Sequence, residues 1–184
     1  MRVSMSADWR NGVIMNSRVL NLGCGTDYME GAVNVDYYSS RADVRFDLNR
    51  FPYPLDSSSF DNIYCLNIIE HLDDTVAVMN EIHRIGANLC KVVIRVPHFR
   101  SASLYEDVTH KRGFAWRSFD IFTEQSEVYG EYSNARFSIV ERRYTPYYVP
   151  PLYRALSSVP ILTDNLISKF VPMASLLFVL QVEK

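Results

Sequence analysis

Cysteine is scarce and unpaired in this 184-residue chain. Cys24, Cys65 and Cys90 are odd in number and lack metal-type pair spacing, which excludes a disulfide scaffold and suggests reduced thiols in the cytoplasm. An excess of one charge is missing as well. With 19 Lys and Arg against 21 Asp and Glu, the formal net charge is -2, and no basic stripe could track a phosphate backbone. Double-stranded nucleic acid is therefore not an expected partner. Long hydrophobic runs are also lacking: the longest, Phe170 to Leu180, is too short for a membrane span and contains Pro172. The N-terminus shows none of the basic start, apolar core and small-residue cleavage site of a signal peptide, so a cytoplasmic protein is expected.

What remains is a chain with 48% hydrophobic residues, enough for the core of one α/β domain spanning residues 1–184. Its organising stretch is Val19 to Asp36, VLNLGCGTDYMEGAVNVD. Strand-type residues Val19 to Leu22 run into Gly23-Cys24-Gly25, and a second short strand, Val33 to Val35, ends on Asp36. In an open α/β sheet the strand C-termini converge on a ligand crevice, where glycines admit close backbone approach and a terminal acid can hold a ribose diol. A nucleoside-containing cofactor follows. The dinucleotide fingerprint fits poorly, because Tyr28 occupies the third glycine position and Asp36 comes well before the acid expected about 20 residues on.

The stretch resembles the first motif of class I S-adenosylmethionine-dependent methyltransferases. The resemblance extends to about His98 and more loosely to about Thr123, and is closest to small forms associated with glycan and polysaccharide biosynthesis. It implies that Gly23, Cys24 and Gly25 lie against the methionine part of the cofactor and that Asp36 holds the ribose hydroxyls. Asn21 stands where the family usually has an acid, and Asp27 where it has a further glycine. The span from Thr26 to Ala32 is too short for an ordinary parallel crossover, so the first crossover is expected to be clipped to a loop or single turn.

Asp43 to Asp47 reads as a third strand, after which the resemblance places Asp47 and Leu48 at the adenine. A Pro-rich link precedes a central strand, Phe60 to Leu66, which opens on Phe-Asp as in the family. Asn67 to Leu72 follows at the rim, where the resemblance runs the loop under the methionine part of the cofactor and toward the acceptor. His71 there is either a base or a donor to the loop backbone. Asp73 or Asp74 can cap a helix carrying Val76, Met79, Ile82, His83 and Ile85 at helical spacing, ending near Gly86. Lys91 to Val96 forms a fifth strand, Ser118 to Glu127 a helix, and Phe137 to Arg143 and Ala174 to Val182 the last two strands. The expected fold is a Rossmann-like, doubly wound, seven-stranded sheet, mostly parallel with an antiparallel last strand. An apolar Pro/Tyr-rich insertion at about 144–173 would serve as a lid or a homodimer surface; a membrane contact fits less well, since basic residues are few.

Chemistry is expected after the fifth strand, where Pro97-His98-Phe99 precedes Asp107-Val108-Thr109-His110-Lys111-Arg112 and the aromatics Phe114, Trp116 and Phe119. These residues supply a base, charge partners and apolar walls. His98 or His110 is the preferred base with Asp107 to orient it, and His71 is the alternative. His98, Asp107 and His110 could ligate a metal, but magnesium prefers oxygen ligands and zinc sites usually show tighter spacing, so no metal is assigned. The reading is methyl transfer to an oxygen, with a nitrogen as the less favoured alternative, of a small molecule or glycan precursor. Its rivals are a non-catalytic cofactor-binding protein and a nucleotide-dependent oxidoreductase.

Overall fold

Six strands form one mixed sheet in the order β2-β1-β3-β4-β6-β5. The computed structural model describes residues 18–124, 126, 132–145, 155–171 and 173–184. Expectations placed on Met1 to Ser17, and on the 146–154 part of the insertion, lie outside them.

Strand β1 (Val19–Leu22) lies between β2 (Val33–Val35) and β3 (Phe60–Leu66), parallel to both. Strand β3 pairs in parallel with β4 (Gly86–Pro97). The last strand, β6 (Ser175–Glu183), is antiparallel to β4 on one side and to β5 (Arg136–Thr145) on the other. The buried positions of β6 alternate strictly, with Leu176, Phe178, Leu180 and Val182 fully buried and the intervening residues partly exposed. Val92, Ile94 and Val96 of β4 do the same. One face of the sheet thus carries the densest core, as the period of two requires. Helix α1 (Thr75–Ile85) is begun by Asp74, whose carboxylate accepts from the Ala77 N–H at 3.0 Å. It contributes Val78, Met79, Ile82 and Ile85 to the same core.

Among the described residues the sheet has six strands where seven were expected. Asp43 to Asp47 shrinks to a single parallel bridge, Val35 to Val44. Strand β2 is only three residues long, and the Asp43 carboxylate is occupied by the backbone and side-chain N–H groups of Asn34, at 2.9 and 3.0 Å, which ends the ladder there. In Ser118 to Glu127, expected as a helix, the described residues contain only a 3₁₀ turn at Asp120–Phe122, with Phe119 and Phe122 drawn into the core. Strand β4 begins at Gly86, five residues before Lys91.

The connection from Gly23 to Ala32 holds turns and no helix. A crossover helix would satisfy its own backbone; here two buried amides act instead. The side-chain N–H groups of Asn21 donate to Asp27 O at 2.8 Å and Asn34 Oδ1 at 3.0 Å. Asn34, fully buried, donates to Met29 O and Ala32 O and accepts from the Met29 N–H. No helix among the described residues is long and apolar enough to cross a membrane.

Gly23 has φ +74°, and a Cβ built on it would come within 2.3 Å of Ile68 Cγ1, in the segment leaving β3. Gly23→Ala should lower the unfolding free energy by at least about 1–2 kcal/mol, the cost of the left-handed backbone alone, in a urea titration. Adding Ile68→Ala should recover part of the loss. An unchanged urea midpoint for Gly23→Ala would rule out this packing.

Candidate functional site

The Gly-Cys-Gly turn is fastened from both sides. Gly23 and Cys24 both donate to Val35 O, at 2.8 and 2.9 Å, and Gly25 donates to Asp36 Oδ2 at 2.8 Å. The other oxygen of Asp36 accepts from the Tyr38 and Ser39 N–H groups, each at 2.8 Å. Asp36 therefore orders the rim of the crevice through three bonds while keeping acceptor capacity on Oδ2. A Cβ on Gly25 (φ +48°) would meet nothing within 4 Å, so open space lies above this turn. Asn21 points into the connection it bonds, and is only 3% exposed. Cys24 is buried, and burial raises its thiol pKa. Leu48 packs into the core, with Tyr53 Oη donating to its carbonyl at 3.0 Å. Asp47, which accepts from Asn49 N at 2.9 Å, is the more exposed of that pair. An adenine ring would find little of the Leu48 side chain to rest on.

Next to this crevice a cavity of about 540 Å³ opens at the C-terminal ends of β3 and β4. Asn67, Glu70, His71, Arg95, Asp107 and His110 are among its lining. Crevice and cavity share a wall, because Ile68 packs on Gly23 while Asn67 and Glu70 of the same segment face the cavity. Asn67 adopts φ +56°, a conformation asparagine tolerates better than most residues, and its Oδ1 accepts from Arg95 Nε at 3.1 Å. The far wall is the excursion after β4. It closes on itself through the Phe99 N–H to Phe114 O and the Phe114 N–H to Pro97 O, at 2.9 and 3.0 Å. It is clamped to the segment after β3 by the Lys111 N–H on Glu70 O (2.8 Å) and by Arg112 on Asp73 O and Thr75 Oγ1 (2.7 and 3.0 Å).

The clamp brings together residues some forty positions apart. Thr109 Oγ1 donates to Asp107 Oδ1 at 2.6 Å and so accepts from His71 Nδ1–H at 2.9 Å. This fixes the His71 tautomer, with Nε2 left as the ring's acceptor. Burial first, and then the neighbouring His110 ring, hold the His71 imidazole below its usual pKa, so it is neutral at pH 7. The two bonds from Thr109 hold Asp107 below the ordinary carboxylate range. The His110 ring meets that of His71 edge-on, centroids 4.6 Å apart, and its Nδ1–H donates to Leu104 O at 3.2 Å. His110 Nε2 lies 3.9 Å from Asp107 Oδ2.

His98, expected as a base, stands outside the cavity lining and is fully buried. Its Nδ1 accepts from the Arg100 N–H at 3.1 Å, so Nε2–H donates to Asp164 Oδ1, also at 3.1 Å. Asp164 further accepts from Tyr144 Oη (2.7 Å) and the Trp116 N–H (2.9 Å). Burial works against this charge, yet those three bonds keep Asp164 below its usual pKa. His98 therefore joins the end of β4 to the helix α2 (Pro160–Asn165) of the insertion. The aromatics expected as pocket walls are also elsewhere: Phe114 and Phe119 are core, and Trp116 stacks on Tyr144 at 5.0 Å.

Sequence reasoning missed Thr109 as the relay between Asp107 and His71, Glu70 as a buried carboxyl, and Asp164. Asp164 did leave a signal, as an acid inside an apolar insertion, since buried acids need partners. Glu70 is 1% exposed, its Oε2 has no hydrogen-bond partner among the described residues, and burial pushes its pKa up to about 7.

Residues 21–94 match the family model described as a methyltransferase domain. No curated protein matches the chain. Among solved structures, it resembles an S-adenosylmethionine-dependent methyltransferase from Mesorhizobium loti, with 14% identity, TM-score 0.58, and 94% of this chain and 95% of that one covered. A similar protein from Archaeoglobus fulgidus gives 15% identity, TM-score 0.55, and 91% and 86% coverage. The [4+2]-cyclase SpnF gives 12% identity, TM-score 0.54, and 95% and 79% coverage. The fold is that of S-adenosylmethionine-dependent methyltransferases, and the cyclase marks how far chemistry can vary on it.

Glu70 gives a pH signature in chelator-treated protein. Its folded pKa, about 7, exceeds the ordinary 4.5, so between these values the folded state holds the proton more tightly and stability falls as pH rises. Glu70→Gln should abolish this fall and be more stable than the parent at pH 8, by up to roughly 3 kcal/mol. Parallel stability–pH curves for the two proteins would contradict the burial of this carboxyl.

Proposed function

We propose that the chain is an S-adenosylmethionine-dependent methyltransferase acting on an oxygen of a small molecule or glycan precursor. The methyltransferase-domain match and the shared fold imply S-adenosylmethionine as the cofactor. The observation that carries the reading is the shared wall: a glycine turn ending at a ribose-type acid backs onto a cavity that holds an oriented, neutral imidazole.

Gly23, Cys24 and Gly25 would line the methionine part of the cofactor, with Asn21 holding their connection in place. Asp36 would receive the ribose hydroxyls, Asp47 with the Leu48 backbone would face the adenine, and Asn67 would border both ligands. When bound, the cofactor supplies an activated methyl that a nucleophile displaces directly. The residues of the chain then align the acceptor, take its proton and exclude water. His71 Nε2 takes that proton, and the imidazolium formed is stabilised through Thr109 by Asp107. Arg95 and His110 bound the acceptor's position. His98 serves by holding the insertion against the end of β4.

Calorimetry should show that S-adenosylmethionine and its demethylated product bind, and that Asp36→Ala weakens both about ten- to a hundredfold, as expected for lost bonds to a charged acceptor. Identical titrations for mutant and parent would remove the ribose assignment. With an acceptor in hand, His71→Ala and Asp107→Asn should each lower methyl transfer by about 10²–10⁴ while cofactor affinity stays within about threefold. His98→Ala should lower stability far more than the rate of the protein that remains folded. The opposite pattern, with His98 controlling the rate and His71 dispensable, would sink this assignment of the base.

A further inference from the structure

The cavity wall carries an arrangement that methyl transfer does not require. Glu70, His71 and His110 each offer one ligand-type atom, and these atoms lie within 4.8 Å of one another. Both imidazoles spend Nδ1–H on a fixed partner, Thr109 Oγ1 for His71 and Leu104 O for His110. Each is therefore held in the tautomer that leaves Nε2 with a free lone pair. A second-sphere acceptor on the far nitrogen is the pattern that orients histidines for metal binding. The third member, Glu70, brings the buried Oε2 that has no hydrogen-bond partner, and a buried carboxylate oxygen calls for a donor or a cation.

We propose that Glu70, His71 and His110 form a binding site for a zinc-class divalent ion, with its open coordination position toward the cavity. The donor set decides the class. Two imidazoles and one carboxylate suit zinc and its neighbours and leave a fourth position for water or substrate, whereas magnesium favours oxygen ligands and retained waters. This is a different set from His98, Asp107 and His110. His98 has both nitrogens committed to Arg100 and Asp164, and Asp107 is committed to Thr109. A separation of up to 4.8 Å is wider than the roughly 3.3 Å between ligands of a tetrahedral zinc, so the excursion after β4 closes slightly on binding. With the ion in place, His71 Nε2 is a ligand, so metal and acceptor proton compete for one nitrogen. The inference rests on the geometry alone and goes beyond the methyltransferase reading.

The test is a cobalt titration of the untagged, chelator-treated full chain, followed by visible absorption. One equivalent of Co²⁺ should produce the intense bands of a four- or five-coordinate ion, and Zn²⁺ should bleach them. His71→Ala and His110→Ala should lose the bands, and Glu70→Gln should weaken binding at least about tenfold. Thr109→Val, which removes the second-sphere acceptor and leaves every ligand in place, should weaken binding without eliminating it. Asp36→Ala should bind cobalt like the parent, which separates this site from the cofactor assignment. Absence of the bands in the parent protein, which needs no variant to fold, would overturn the proposal. So would bands that persist in both histidine variants, or a near-ultraviolet thiolate charge-transfer band placing the metal on a cysteine.

Discussion

The bond between Asn21 and Asn34, side-chain amide to side-chain amide at 3.0 Å, is the interaction on which the glycine turn and its connection depend. A parallel crossover normally contains a helix, which satisfies its own backbone. The ten residues from Gly23 to Ala32 are too few for that, yet they pass beside the core, where unpaired backbone groups are costly. The two asparagines supply both donors and acceptors from a buried position, and so hold Asp27, Met29 and Ala32 in place. An aspartate at position 21 would accept but could not donate to Asp27 O. That gives a local reason for the amide at a position where the resembled methyltransferases usually carry an acid.

The neighbouring cavity depends on a different device, an excursion held at its base by sheet-like bonds and at its tip by contacts to the segment after β3. Lys111 and Arg112 act through a backbone amide and a guanidinium on fixed groups of that segment. They bring Thr109 within reach of His71, and only then is Asp107 linked to that ring. The two strained or unsatisfied features of the region, Asn67 in the left-handed conformation and the unpartnered oxygen of Glu70, both border the cavity. Such features persist where surrounding structure over-determines them, and they cluster at functional sites.

The insertion contributes through one charged residue. Asp164 gathers His98, Tyr144 and the Trp116 amide, so the apolar segment is anchored by a polar network. Around that anchor, Ile161, Leu162, Leu166 and Phe170 remain exposed.

Much was legible in the chain alone because it is written in local spacing. Strands β1, β2 and β3, the glycine turn, Asp36 at its strand end and the Asp74-capped helix all follow from periodicity, turn chemistry and capping, which act over a few residues. The count of seven strands failed where a three-residue strand could not extend its ladder through Asp43 to Asp47. The choice among histidines was likewise beyond the sequence. His71, His98 and His110 each stand beside strand ends and polar residues, and nothing local separates them. Hydrogen bonds across 38 and 66 positions do so, making His98 a buried strut and His71 an oriented imidazole on the cavity wall. The sequence by itself determined that a glycine turn and an acid meet at the ends of β1 and β2; only tertiary structure decided which side chains face the neighbouring cavity, because that depends on how two distant loops are clamped together.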